Sequence, residues 1–370
     1  MKKILFPSLM LVLIAVAVSS CKSKTASDES FEGKILNVPL LKHEKTDKPT
    51  YEGFWKSIDT IVFDNSTPES LIGRVYNVRF TDDHIFFHSQ DNSLHIFDYQ
   101  GNFVRKIQKV GRGRGEYDML LKFDVQENAQ LISILDGTNM MRIYTYEGVF
   151  VRQFELQQHI TDFAVLPNGH YLLLNYEDER NGIRGLYETD DQGNTIRNLF
   201  ELPEWYKHIS FTSPYLIHLN DNTISCMGLE DDNHIYHFEN DSFYVAYKIT
   251  TDINVPREIM EDGSRWSNPG KEYTKIGFWE TDRFLGIGLT DFNDFVQTFY
   301  DKKEDRFYRF YNDEMNDDPL LRKGPIGFQY AGNGKLAITY DPEFILQNPE
   351  LKASFPKVDI DSNPILVIWQ

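Results

Sequence analysis

The sequence predicts an all-β chain folded as a six-bladed β-propeller, with four-stranded antiparallel blades and a last blade closed by an N-terminal strand. Three observations carry that expectation. A hairpin at 94–107, LHIFDYQGNFVRKI, returns 47 residues later as RIYTYEGVFVR at 142–152, with aromatic, glycine, apolar pair and arginine in the same places. Self-similarity at a fixed period marks a repeat architecture, and a four-stranded blade takes about 40–50 residues. The last recognisable unit has three strands, while a strand with no sequential partner stands near the opposite terminus.

The repeats do not begin at residue 1. Lys2 and Lys3 precede an apolar run at 4–18 and the small residues Ser19, Ser20 and Cys21. Positive, apolar, then small is the order of a secretory signal, so 1–20 is read as a signal peptide. The apolar run has 15 positions and contains Pro7, too short to span a bilayer comfortably. Val18-Ser19-Ser20-Cys21 resembles the bacterial lipobox, which implies that Cys21 is lipidated and becomes the first mature residue. Residues 21–50 are polar and read as a flexible tether, and 51–370 as one propeller domain.

Within that domain, 58–63 is the unpartnered strand. The first unit is 75–80, 84–87 and the hairpin 94–107; the second is 121–125, 131–135 and 141–154. The third is 160–165, 171–174 and 186–199, its turn at Gln192-Gly193-Asn194 lengthened by one residue. The fourth is 215–219, 223–227, 235–238 and 243–249, with Asn240 where glycine stood. Asparagine is the next-best residue for positive φ. The fifth is 275–279, 284–289, 295–300 and 306–311, with a charged turn at 301–305. The sixth offers 327–330, 335–339 and 365–369. Second strands open at His84, Leu131, Tyr171, Thr223, Phe284 and Lys335, 47, 40, 52, 61 and 51 residues apart. Six blades fit that spacing, and the strand at 58–63 completes the sixth. Large side chains occupy both faces of the strands, as blades packed face to face require; an open sheet with one wet face alternates more cleanly.

Composition agrees. Of 370 residues, 41% are hydrophobic and 14% aromatic, ample for a large core, and the 20 Tyr and 27 Phe favour strands. The net charge is −18, and removing residues 1–20 takes away two of the 38 basic residues and no acid, giving −20. That balance excludes general affinity for nucleic acid or anionic lipid surfaces. The second cysteine, Cys226, lies in an apolar run and reads as a core residue. With Cys21 lipidated, no intramolecular disulfide is available.

The most unusual local sequence is Val110 followed by Gly111, Arg112, Gly113, Arg114, Gly115, Glu116 and Tyr117, between the first two units. Alternating glycines expose backbone N–H groups, and arginines grip an anion or carboxylate bidentately. Residues 111–117 are therefore the candidate ligand site; the competing reading is a tight interblade crossover whose arginines pair with blade-edge acids. No Walker A or dinucleotide fingerprint is present. His84 and His88 share parity but lack further metal ligands, and His234 and His237 do not share it. The acids at 231–232 and 317–318 lack calcium-loop spacing. No nucleophile elbow, zinc-protease helix or Cys-x-x-Cys pair occurs, so no catalytic residue, metal or cofactor is assigned. Three segments exceed what blades require, 252–272, 313–325 and 341–363, the last with a short helix at 342–347. Long insertions in a compact domain are functional loops or family-specific padding.

Together the lipobox, the glycine–arginine crossover and the repeated Ile-Phe/Tyr-x-x-x-Gly-x-Phe-Val-Arg hairpins resemble the TolB-like six-bladed β-propeller lipoproteins of the Bacteroides group, over roughly 51–370. Residues 111–117 are similar to that family's Gly-Arg-Gly-Pro-Gly-Glu-Tyr/Phe crossover, with Arg114 in place of proline. NHL-repeat proteins look similar at the hairpin level. The resemblance implies a monomer tethered by its lipid to a Gram-negative envelope, at the outer rather than the inner membrane. The expected function is binding of an envelope protein, peptide or glycan through the loop-bearing face. The alternative is a metal-dependent propeller enzyme of the lactonase or lyase kind, supported by fold analogy alone.

Overall fold

The structure, a computed structural model, describes residues 33–38, 57–175, 184–202, 216–227, 234–251, 274–290, 295–311 and 330–369. Cys21, the signal peptide and the insertions 252–272 and 313–325 lie outside the described residues.

Two strands precede the blades, β1 (Lys34–Val38) and β2 (Ile58–Ile61). Blade 1 is β3 (Val75–Phe80), β4 (His84–Ser89), β5 (Ser93–Asp98) and β6 (Phe103–Ile107). Blade 2 is β7 (Leu120–Gln126), β8 (Leu131–Asp136), β9 (Met140–Thr145) and β10 (Phe150–Glu155). Blade 3 is β11 (Asp162–Val165), β12 (Tyr171–Asn175), β13 (Gly185–Thr189) and β14 (Thr195–Glu201). Blade 4 is β15 (Leu216–Asn220), β16 (Thr223–Met227), β17 (His234–Glu239) and β18 (Ser242–Thr251). Blade 5 is β19 (Thr274–Glu280), β20 (Phe284–Thr290), β21 (Phe295–Asp301) and β22 (Arg306–Tyr311). Blade 6 is β23 (Tyr330–Gly332), β24 (Lys335–Tyr340) and β25 (Ile365–Trp369), with α1 (Pro342–Gln347) and α2 (Pro349–Ser354) inserted before β25. Each blade is an antiparallel sheet in sequence order, and β2 is the fourth strand of blade 6.

Closure follows the expected route. Ile58, Asp59, Thr60 and Ile61 pair antiparallel with Trp369, Ile368, Val367 and Leu366. Beyond β2 the chain runs under blade 1. Phe63 packs edge-on against Phe87, ring centroids 4.9 Å apart, and Asp64 N donates to Gly101 O at 2.8 Å. Gly101 has φ +83°, and a Cβ there would lie 2.3 Å from Val62 O, so the turn glycine also admits the closing segment. Buried Asn363 holds the other side: its amide donates to Asp64 O and Ser70 O, both at 2.8 Å, and its carbonyl accepts from Ile72 N.

The described apolar core divides into six clusters, one at each junction between neighbouring blades. Leu94 and Ile96 of β5 face blade 2, whereas Phe97 faces blade 6. This is why both faces of the strands are apolar in sequence. Cys226 is buried between blades 3 and 4, its thiol donating to Met227 O at 3.5 Å.

Turn chemistry explains the repeated wording. Gly101, Gly148 and Gly193 all have positive φ. Asp98 accepts from Gln100 N and Asn102 N, and Asp190 repeats this with Gln192 N and Asn194 N. The blade 3 turn therefore spans the same positions as the blade 1 turn, and the lengthening expected from sequence is absent. In blade 4, Asn240 and Asp241 both have positive φ between the paired residues Glu239 and Ser242. That is a two-residue type I′ turn. In the glycine-free blade 5 turn, Asp305 takes the left-handed position.

Two boundaries differ from the sequence reading. The first strand of blade 6 continues to Gly332, past the expected end at 330, and 327–329 lie outside the described residues. More consequentially, Lys34–Val38 falls within the expected tether yet forms β1, parallel to β18 on the outer edge of blade 4. Leu36 and Val38 are buried against Ile249, Phe278 and Leu285, and Lys34 Nζ reaches Asp305 Oδ1 at 2.8 Å. The strand covers an otherwise open edge.

Closure gives a paired prediction for thermal or denaturant unfolding. Phe63→Ala will lose about 3–5 kcal/mol, as for a buried aromatic in a junction. Ile58→Ala, on the exposed side of the same segment, will change stability by less than about 0.5 kcal/mol.

Candidate functional site

Strand direction alternates within a blade, so connections leave from two distinct faces. First-to-second and third-to-fourth turns share one, here the turn face. Second-to-third connections, and those from a fourth strand to the next blade, share the other, here the crossover face. Residues 111–117 join β6 to β7, 252–272 fall between β18 and β19, 313–325 between β22 and β23, and 341–363 between β24 and β25. All four connect strand ends on the crossover face. The last one carries the expected helix, α1, and a second, α2, started by Asn348, whose side chain accepts from Glu350 N and Leu351 N. Ile345, Leu351 and Val358 bury the insertion against blade 6.

The 111–117 crossover is a closed loop. Gly111 N donates to Tyr117 O and Tyr117 N to Lys109 O, each at 2.9 Å. Glu116 turns inward, and its Oε2 accepts from Gly113 N at 2.7 Å. A Cβ on Gly111 would lie 2.1 Å from that oxygen. The loop's own carboxylate therefore takes the place that an anion would fill in such a nest. Gly115 has φ +74°, its carbonyl accepts from Tyr144 Oη, and a Cβ would meet the Phe150 ring at 2.6 Å. Tyr117 is fully buried and donates to Asn92 O. Arg112 and Arg114 are left exposed; no described acid pairs with either, and Arg114 lies 6.0 Å from the Phe150 ring centroid.

Sequence reasoning missed the axis. Asp124 of β7 is buried where the innermost strands converge. Its Oδ1 accepts from Arg79 Nε of blade 1 at 2.9 Å. Its Oδ2 accepts from Val165 N of blade 3 and His218 Nε2 of blade 4, both at 2.7 Å. Arg79 continues to Asn333 Oδ1 of blade 6 at 3.2 Å, and Asn333 N donates to His218 O at 2.8 Å. Four blades thus meet at one carboxylate, and Arg79 and His218 extend the network to a fifth. Burial alone would raise its pKa, but His218 and Arg79 outweigh burial and hold it well below the usual carboxylate range. Nearer the crossover face, Lys122 Nζ lies 3.6 Å from Asp162 Oδ1, and the exposed Tyr76 ring stands 5.3 Å from His88. Burial, helped by the charge of Lys122, pushes His88 down to about 4, so it is neutral at pH 7.

The other polar cluster lies between blades 4 and 5. Fully buried Glu280 receives Ser225 Oγ, His237 Nε2 and, at 2.7 Å, Lys302 Nζ. The serine and the histidine address the same carboxylate rather than each other, and the cluster ties blade 4 to blade 5. His84, partly exposed, faces Phe86 and Tyr146 rather than His88. Among the described residues, no group of three or more His, Cys, Asp or Glu is placed to hold a metal ion.

Removing the axial carboxylate leaves the Arg79 guanidinium and His218 Nε2 without their buried partner. Asp124→Ala will therefore cost about 3–5 kcal/mol. The pH dependence has a definite sign. A carboxyl depressed in the folded state stabilises above its unfolded pKa, near 3.9, and this contribution is lost as pH falls. The stability gap between wild type and Asp124→Asn, measured by urea titration, will be full at pH 6 and shrink below about pH 4.

Comparison with known proteins agrees with this architecture. A crystal structure of a Bacteroides fragilis protein described as exported superposes with a TM-score of 0.72 at 17% identity, covering 91% of this chain and 99% of that one. A DUF4221 family member from Bacteroides vulgatus gives 0.50 at 10% identity, covering 85% and 97%. At such identities the likeness concerns the fold. No curated protein matches the chain. The family described as "Domain of unknown function (DUF4934)" matches residues 38–370, and the chain belongs to it.

Proposed function

We propose that the protein is an exported, lipid-anchored envelope protein whose propeller binds a protein, peptide or glycan through its crossover face. The observation that carries this reading is the division of labour between the two faces and the axis. Residues 111–117 and the three long insertions all join strands on one face, while the axial carboxylate is engaged by Arg79, His218 and Val165 N. That engagement by protein donors weighs against the metal-dependent lactonase- or lyase-like alternative, which needs free ligands over the channel. Export is supported by Lys2, Lys3 and the apolar run before Cys21, and by the likeness to a Bacteroides fragilis protein described as exported. Lipidation at Cys21 would hold the protein at the outer rather than the inner membrane, and a common origin with TolB-like propellers belongs to the same reading. In this reading Glu116 shapes the 111–117 loop from within, and Arg112 and Arg114 meet the ligand.

Two measurements test the proposal. Cys21→Ser will move the protein from the membrane to the soluble fraction, and continued membrane association would refute the anchor. Crosslinking in intact envelopes will capture a partner or glycan with wild type and lose it with Arg112→Glu/Arg114→Glu. Capture of nothing, or equal capture by both, would refute the assignment of the face.

A further inference from the structure

The apolar residues exposed on the crossover face of blades 1 and 2 narrow the class of ligand. Leu71, Tyr76, Val110 and Met119 are 44–52% exposed. They flank the strands of the two blades at the ends that open on this face, where hydrogen bonds join the connecting segments. Arg74 O accepts from Gln90 N, and Asn92, two residues on, accepts from Tyr117 Oη and Leu120 N. Met119 O in turn accepts from Gly137 N of blade 2. Arg74 lies 5.9 Å from the Tyr76 ring centroid, and exposed Arg112 and Arg114 stand on the loop between Val110 and Met119.

Charge also bears on the ligand. The chain carries −18 overall, and exposed Asp91 and Asp118 border this strip. But Asp91 pairs with Lys106 and Asp118 accepts from Met119 N, while no described acid pairs with Arg74, Arg112 or Arg114 and Glu116 is turned into its own loop. Lys122, by contrast, already has Asp162. Exposed guanidinium forks match carboxylates bidentately and keep their charge at any physiological pH. The apolar side chains decide between polymer classes. Sugar rings stack on aromatic faces, and the strip offers Tyr76 alone for that purpose; Leu71, Val110 and Met119 are aliphatic and suit the side chains of a peptide.

We propose that this strip docks an acidic polypeptide segment carrying apolar side chains among its carboxylates. The inference rests on the binding reading above and specifies its ligand.

The test is selection of a displayed random-peptide library on the immobilised full mature chain, with a glycan array run in parallel. Enriched peptides will be rich in Asp and Glu with interspersed apolar residues. A synthetic consensus peptide will bind Arg74→Glu/Arg112→Glu/Arg114→Glu at least about tenfold more weakly, a loss of about 1.4 kcal/mol, and will weaken with salt. Tyr76→Ala will also weaken it, and both variants will unfold at the wild-type temperature because they lie on the surface. No peptide enrichment, a basic consensus or unchanged affinity in the triple variant would overturn the inference. Glycan binding abolished by Tyr76→Ala, without peptide binding, would also overturn it while leaving the binding function intact. If neither class binds, both readings fall.

Discussion

A ring of sheets stands or falls on the joint between its two ends. Six blades in series would leave blade 6 with an exposed backbone edge on β25 and blade 1 with one uncovered apolar face. The four residue pairs between β2 and β25 remove the edge. Phe63, passing from β2 to the rings of blade 1, covers the face. Asn363 then ties the segment after β2 to the segment before β25 through three hydrogen bonds. Each of the other five junctions is an apolar cluster between blades that follow one another in sequence. Only at this one must the chain's two ends find each other.

Once the ring is closed, its inner strands are forced together, and that crowding creates the polar centre. Asp124 is too deeply buried to remain ionised unaided, because a lone carboxylate in such a place would take up a proton. Arg79, His218 and the Val165 amide supply what water would have supplied, each from a different blade. The same solution recurs off-axis at Glu280, again with partners from two blades. These ties do little for raw stability compared with the apolar junctions, since desolvation offsets most of their attraction. Their consequence is positional: a carboxylate with several fixed partners tolerates one arrangement of the blades.

Legibility in the sequence followed the range of the interactions. Hairpins were readable because Gly101, Gly148, Gly193 and Asn240 advertise left-handed backbone within a few residues of the strands they join. The closing strand was readable by subtraction, since one unit lacked a strand and one strand lacked a unit. β1 gave no such sign. It is five residues in a polar stretch, it adds in parallel without a turn, and Lys34 pairs with Tyr247. The axial group was equally silent, because Arg79 meets Asp124 across 45 positions, His218 meets it across 94, and Arg79 meets Asn333 across 254. Residues 111–117 are conspicuous in sequence, but it takes the folded loop to turn Glu116 into the glycine nest and leave the arginines outside.

The functional reading depends on the ring being one cooperative body that presents a fixed crossover face. Hydrogen exchange of the backbone amides in β2 and β25 tests that dependence most directly. If the N-terminal strand closes the ring, the hydrogen-bonded amides of both strands will exchange only through global unfolding, with the same free energy as those of β4 and β8. Exchange of β2 and β25 through local opening, well below that free energy, would contradict the account.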